Sequence, residues 1–188
     1  MAALVAVLVA LAVSACGSDG TEDDVEAPAE SAQPVPELPP GWKVERNDAG
    51  GFALGVPPGW QAKRRDAKTQ LKSPDRLVVL TVTPDRSNEL LEADLKELAD
   101  STAVRYGEQF ESFELGRSRR FRHAYDGHAV GARGRFDGVA QKVELILLRR
   151  GEIVTFTVIV QRNERFGTGA YVPTIERIVR SIRSRPVG

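Results

Sequence analysis

Only one cysteine occurs in the chain, Cys16. A lone thiol excludes an intramolecular disulfide, a dithiol redox pair and a cysteine-rich metal site. Histidine is scarce too, with His123 and His128 the only two. Zinc sites use three or four ligands, so this pair would need Tyr125 or a distant carboxylate to complete one. Two partly buried histidines at a sheet edge are the simpler reading, and no metal or other cofactor is assigned. Also missing are a Gly-x-Ser-x-Gly nucleophile elbow, a Gly-x-x-x-x-Gly-Lys phosphate loop and carboxylates at calcium-loop spacing. Composition does not exclude a Ser/His/acid triad, which keeps a hydrolase as the alternative reading. No residue is assigned a catalytic role.

Positive charge is absent from the start of the chain, where the first basic residue is Lys43. Long apolar runs are absent as well. Met1–Ala12 contains only Met, Ala, Leu and Val. It is too short for a bilayer span, which takes about 20 residues. It matches the apolar region of a signal peptide, about 7–15 residues long. Val13-Ser14-Ala15-Cys16 follows directly. This segment resembles the bacterial lipobox, a hydrophobic residue and two small ones before an obligatory cysteine. The usual positively charged n-region is missing here. The resemblance implies that residues 1–15 are a lipoprotein signal peptide and that the Cys16 thiol is diacylated. Two acyl chains anchor a protein stably where one gives marginal binding. The expected location is the extracytoplasmic face of the cell membrane, which removes nucleic acid from the list of partners.

Residues 16–40 form the next segment, with the lipidated cysteine at its head. It holds seven carboxylates (Asp19, Glu22, Asp23, Asp24, Glu26, Glu30, Glu37), no basic residue and no aromatic one. Such a stretch cannot bury enough apolar surface to offset the entropy of ordering, so it reads as a disordered tether. Pro34, Pro36, Pro39 and Pro40 stiffen its far end. All 26 basic residues and 19 of the 26 acidic ones lie in residues 41–188, a balance of +7 that the net charge of zero conceals. Residues 41–188 suit one domain.

Two Pro-Pro-Gly-Trp turns, at 39–42 and 57–60, flank a strand at Gly51–Val56, and each Trp opens a short polar strand. Arg76–Thr83 reads as a strand ending at Pro84. Asn88–Tyr106 reads as one helix with Leu91, Leu95, Leu98, Thr102 and Tyr106 on a stripe, and Gly107 is a plausible C-cap. Asp126-Gly127, Asp137-Gly138 and Arg150-Gly151 read as two-residue hairpin turns. Those turns put Phe121 opposite Ala132, Val130 opposite Leu145, and Leu145 opposite Phe156. Nearly all the apolar residues of the four strands then share one face. The other face carries Arg120, Arg122, Arg133, Arg135 and Lys142, with Arg120 opposite Arg133 and Arg133 opposite Lys142. It turns apolar toward the last strand, where a helix over Ala170–Arg183 covers it.

The order is therefore three or four strands, a helix, four antiparallel strands and a helix, an α+β arrangement. The chain here resembles the PsbP-like superfamily, which includes DcrB-like proteins and many actinobacterial lipoproteins. The residues that carry the resemblance are Gly-Phe-Ala-Leu-Gly-Val-Pro-Pro-Gly-Trp at 51–60, the Asn88–Tyr106 helix, and Glu176-Arg177-Ile178-Val179-Arg180-Ser181-Ile182. It covers most of 41–185 and contains no catalytic motif. It implies a central antiparallel sheet flanked by two main helices, and an accessory or binding role.

Like charges opposed across a sheet destabilise it, so something must offset Arg120, Arg133 and Lys142. Either the face is simply solvated, or it engages an anion. The functional reading is a non-catalytic module of the cell envelope whose basic face meets anionic lipid, glycolipid, wall polymer or an envelope protein. Its alternative is an envelope hydrolase. The sequence does not set an oligomeric state.

Overall fold

Both Pro-Pro-Gly-Trp turns form. Gly41 and Gly59 sit at φ +81° and +78°, and the amides of Trp42 and Trp60 donate back to the carbonyls of Pro39 and Pro57. The computed structural model describes residues 37–121, 126–162 and 170–185. Cys16, Arg122, His123 and Tyr125 lie outside the described residues.

The strands are β1 (Lys43–Asn47), β2 (Phe52–Val56), β3 (Gln61–Arg65), β4 (Lys68–Lys72) and β5 (Val78–Asp85). After α1 (Asn88–Glu92) and α2 (Leu95–Gly107) come β6 (Ser112–Arg120), β7 (Asp126–Phe136), β8 (Val139–Arg150) and β9 (Ile153–Arg162). The last elements are α3 (Val172–Arg180) and β10 (Arg183–Ser184). A seven-stranded antiparallel sheet runs β3-β4-β5-β9-β8-β7-β6, and a small sheet runs β1-β2-β10. Pro84 pairs with Thr155 beyond the end of β4. Its missing N–H is harmless there, because the ladder with β4 has already finished.

The expected single helix over 88–106 is two. Asp94 breaks it, because its carboxylate accepts the amides of Lys96 and Glu97 and starts a new helix. That bonding is the standard N-cap arrangement. Gly107 is the last residue of α2 rather than its cap. A Cβ there would stand 2.3 Å from the Phe113 ring, so the small residue serves packing.

The three hairpin registers met different fates. Asp137 and Gly138 both have positive φ (49° and 71°), and Phe136 pairs with Val139 as expected. At the β8–β9 turn Arg150 pairs with Ile153, so the turn residues are Gly151 and Glu152. Leu145 therefore faces Val158, not Phe156. This slip of two leaves every side chain on its expected face. The first hairpin is wrong by an odd number. Arg120 pairs with His128, and Phe121 donates its amide to Gly127. Gly127 is inside β7, where a Cβ would meet Leu148 at 2.7 Å and the Leu147 carbonyl at 3.0 Å. Close backbone approach, not turn geometry, is what that glycine provides. A β-bulge between Leu115 and Ser118 adds a further shift.

Faces follow from these registers. The face under α3 buries Leu71, Val78, Leu80, Val82, Phe121, Ala129, Ile146, Leu148, Ile153 and Ile159 against Ile175, Ile178, Val179 and Ile182. Full burial of such a side chain stabilises by about 1.5–3 kcal/mol. The opposite face packs Val130, Ala132, Val143, Leu145, Leu147 and Val154 on Leu95, Ala99 and Ala103 of α2. Phe121 thus belongs to the α3 face, contrary to the sequence expectation. Among the described residues both cores draw only on Trp42 to Ile182, within the unit Val35–Gly188. Every described residue of the two cores lies in that unit.

Candidate functional site

The expected basic face is only partly assembled. Arg133 and Lys142 stand opposite each other, as expected. Glu114, not Arg120, stands on the other side of Arg133. Arg120 is on the α2 face beside His128 and reaches Asp126 at 3.7 Å. The odd register shift put it there. Arg119 takes its place and pairs with Glu144 at 2.5 Å. Arg135 shares the Arg133 face by register and donates to the Gly138 carbonyl at 2.6 Å. Sequence reasoning missed Arg117, which the bulge brings beside Arg133 and Lys142. These three line a hollow of about 280 Å³ with Glu114, Leu115 and Gly131. Arg117, Arg133 and Lys142 form no ion pair among the described residues.

A polar cluster lies where α2 crosses β6 and β7. Ser118 Oγ is 2.5 Å from His128 Nε2, and Lys96 Nζ is 2.8 Å from Asp100. The Lys96 ammonium, and secondarily the Ser118 hydroxyl, hold the Asp100 carboxyl below its ordinary range. The order of contacts is acid, serine, histidine. A hydrolytic triad needs the histidine between the serine and the acid, so that it can take the serine proton. Ser118 is also exposed, and neither it nor His128 lines any of the three hollows described in this section. This arrangement does not supply the alternative hydrolase with a site. Among the described residues no group of three or more His, Cys, Asp or Glu could hold a metal ion.

The third place lies on the α2 face, beyond the reach of α2. That helix packs on β6, β7 and β8. The alternation of burial along β5 and β9 shows what α2, with α1 against β9, leaves only partly covered. Val78, Leu80 and Val82 are buried, while Val79, Thr81 and Thr83 on the α2 side are only half-buried. On β9, Val154 is buried but Phe156, Val158 and Val160 are not. A groove of about 300 Å³ opens here between the C-terminal turn of α2 and the sheet. Val79, Val158 and Val160 make its floor, Tyr106, Phe110 and Phe136 its wall, and Gln70, Gln109, Gln141 and Arg162 its rim. Burial in this wall pushes the Tyr106 phenol up from its ordinary pKa.

A second hollow of about 470 Å³ adjoins through Gln70, lined also by Gln61, Ala62, Lys63 and Lys72. The register puts Lys63, Arg65, Lys68 and Lys72 all on this face, with Arg65 directly opposite Lys68. None of the four is ion-paired among the described residues. Asp66, in the turn at φ 52°, is the one acid of the hairpin. The charge run was visible in the sequence; its placement on an uncovered face was not.

No protein-family model matches the chain, and no curated protein matches it. Solved structures do match. Cyanobacterial PsbP (CyanoP) from Synechocystis sp. PCC 6803 aligns with a TM-score of 0.57 over 76% of this chain and 92% of its own, at 11% identity. The domain has the PsbP-like fold. The Ran-binding protein Mog1p of Saccharomyces cerevisiae aligns at 0.56 over 77% of this chain and 95% of its own, at 12% identity. At such identity the likeness speaks for the fold alone. Within this PsbP-like domain, the basic hollow, the polar cluster and the groove are features of the chain's own residues.

Proposed function

We propose that the chain is a non-catalytic binding or accessory module of the cell envelope, held by diacylated Cys16 at the extracytoplasmic face of the membrane. Residues 1–15 are then the signal peptide, residues 16–40 the acidic tether and residues 41–188 the binding domain. The observation that carries the binding role is the half-covered sheet face, where an apolar floor lies open beside unpaired cations. Enzymes converge acid, base and nucleophile in one cleft, and the groove brings together amides, aliphatic and aromatic side chains, a threonine and a single arginine instead. The Ran-binding relative in fold is an instance of the same scaffold used to bind a protein. The partner classes are anionic lipid, glycolipid or wall polymer at Arg117, Arg133, Arg135 and Lys142, or an envelope protein. From the basic face first expected, Arg120 is omitted because it lies on the other side of the sheet.

The anchor is tested by fractionating cells that express the wild-type chain and Cys16→Ser. The wild type should be in the membrane fraction, and the variant should be released or remain an uncleaved precursor. Wild-type protein wholly soluble with an intact N-terminus would overturn the reading.

A further inference from the structure

The strip of the sheet that the described residues leave uncovered has the width of one helix. It comprises β3, β4, β5 and the Val158–Val160 part of β9, four strands separated by three spacings of about 4.8 Å, or about 14 Å. An α-helix with its side chains is about 10–12 Å across, and packed helices lie about 8–10 Å apart. A helix laid on this strip would sit beside α2 and complete the second layer of the fold. Its underside would meet Val79, Val158 and Val160, with Tyr106 and Phe110 along one flank. Its other flank would run past Lys63 and Lys72, and Arg162 stands on the groove rim. The lining of both hollows contains no carboxylate.

We propose that this strip docks an acidic amphipathic helix of a partner protein. The apolar floor selects a helix with a hydrophobic stripe, the helix-in-groove mode of recognition. The cationic border selects carboxylates beside that stripe, since complementary charge sets specificity and association rate. A bilayer surface is flat, and the ridge of α2 keeps it from the groove floor. The inference rests on the binding-module reading, but its test is separate from the test of the anchor.

The experiment uses residues 35–188, the unit that holds both cores, and a dye-labelled synthetic helix of Leu, Ala and Glu with its leucines on one stripe. Fluorescence anisotropy should show sub-millimolar binding. A scrambled peptide of equal composition, and one with Lys in place of Glu, should bind at least about tenfold more weakly. Lys63→Glu/Lys72→Glu should lose about tenfold, and Val158→Asp should lose a comparable amount. Arg133→Glu/Lys142→Glu, on the other face, should bind as wild type. Circular dichroism checks that each variant is folded. Three results would overturn the proposal: no binding of the amphipathic helix, equal binding of the scrambled peptide, or indifference to Lys63→Glu/Lys72→Glu. Vesicles of anionic lipid bound in a Lys63- and Lys72-dependent way, with the peptide unbound, would assign the strip to a membrane surface instead.

Discussion

Tyr171 donates its phenolic proton to Asp75 Oδ2 at 2.7 Å, which ties the residue before α3 to the turn between β4 and β5. The ring also meets Trp60 edge-on, with centroids 5.8 Å apart. Desolvation pushes the Asp75 carboxyl up, but hydrogen bonds from Ser73, the Leu77 amide and Tyr171 outweigh it and leave Asp75 below its ordinary 3.8. Accepting carboxylate oxygen pushes Tyr171 above its ordinary 10.0. Asp75 therefore contributes stability above pH 3.8 that is lost as pH falls through its lowered pKa. Tyr171 contributes stability below pH 10.0 that is lost as pH rises through its raised one. Both groups are near the surface, so the effects are small. Tyr171→Phe keeps the ring on Trp60 and removes the bond. Urea midpoints measured across pH should show the wild-type advantage over Tyr171→Phe at neutral pH, shrinking at both extremes. An advantage independent of pH would contradict this.

Asp94 stops one helix and starts the next. Asp94→Ala removes the acceptor for two amides at the head of α2 and should lower the urea midpoint, whereas Asp94→Asn should keep most of the stability. Hydrogen exchange at Lys96 and Glu97 should quicken in the alanine variant. Unchanged exchange would show that α2 does not depend on its cap.

Gly107 has a sign to test. An alanine at a helical glycine usually stabilises by about 1 kcal/mol. Here the added methyl would collide with the Phe113 ring, so Gly107→Ala should destabilise. A gain in thermal midpoint would mean that Phe113 moves aside at no cost.

Thr155 and Thr157 bury hydroxyls on the α3 face that have no hydrogen-bond partner among the described residues. A buried, unbonded hydroxyl costs about 1–3 kcal/mol. Thr157→Val keeps the shape and removes the polar atom, so it should raise stability by about 1 kcal/mol. A loss of stability on calorimetry would show that the hydroxyl has a partner.

The sequence made some of this legible for local reasons and hid the rest for tertiary ones. Asp137-Gly138 was read correctly because both turn residues need positive φ, a demand met within four residues of chain. Asp126-Gly127 carries the same letters, yet Gly127 is glycine because Leu148 and the Leu147 carbonyl press on it. No local rule separates the two cases. That error moved Arg120 and Phe121 to the wrong faces, and with them part of the expected basic site. Val79, Val158 and Val160 look in sequence like ordinary core. Only the position of α2 over β6–β8 leaves them half-exposed, so the groove was not readable from the pattern. Lys63, Arg64 and Arg65 were plain to see, but alternation around a two-residue turn decides that Lys63 and Arg65 share a face while Arg64 turns away to Glu45 at 3.0 Å.

The central claim is that the strip beside α2 is occupied by a partner helix. Site-specific photo-crosslinking of the full chain in living cells tests it most directly. A photoreactive residue replacing Thr81, on the open strip, should give an adduct of one discrete mass, lost when Lys63→Glu/Lys72→Glu is added. The same residue replacing Ser101, on the exposed side of α2, should give none. No adduct from Thr81, or the same adducts from both positions regardless of charge, would contradict the account.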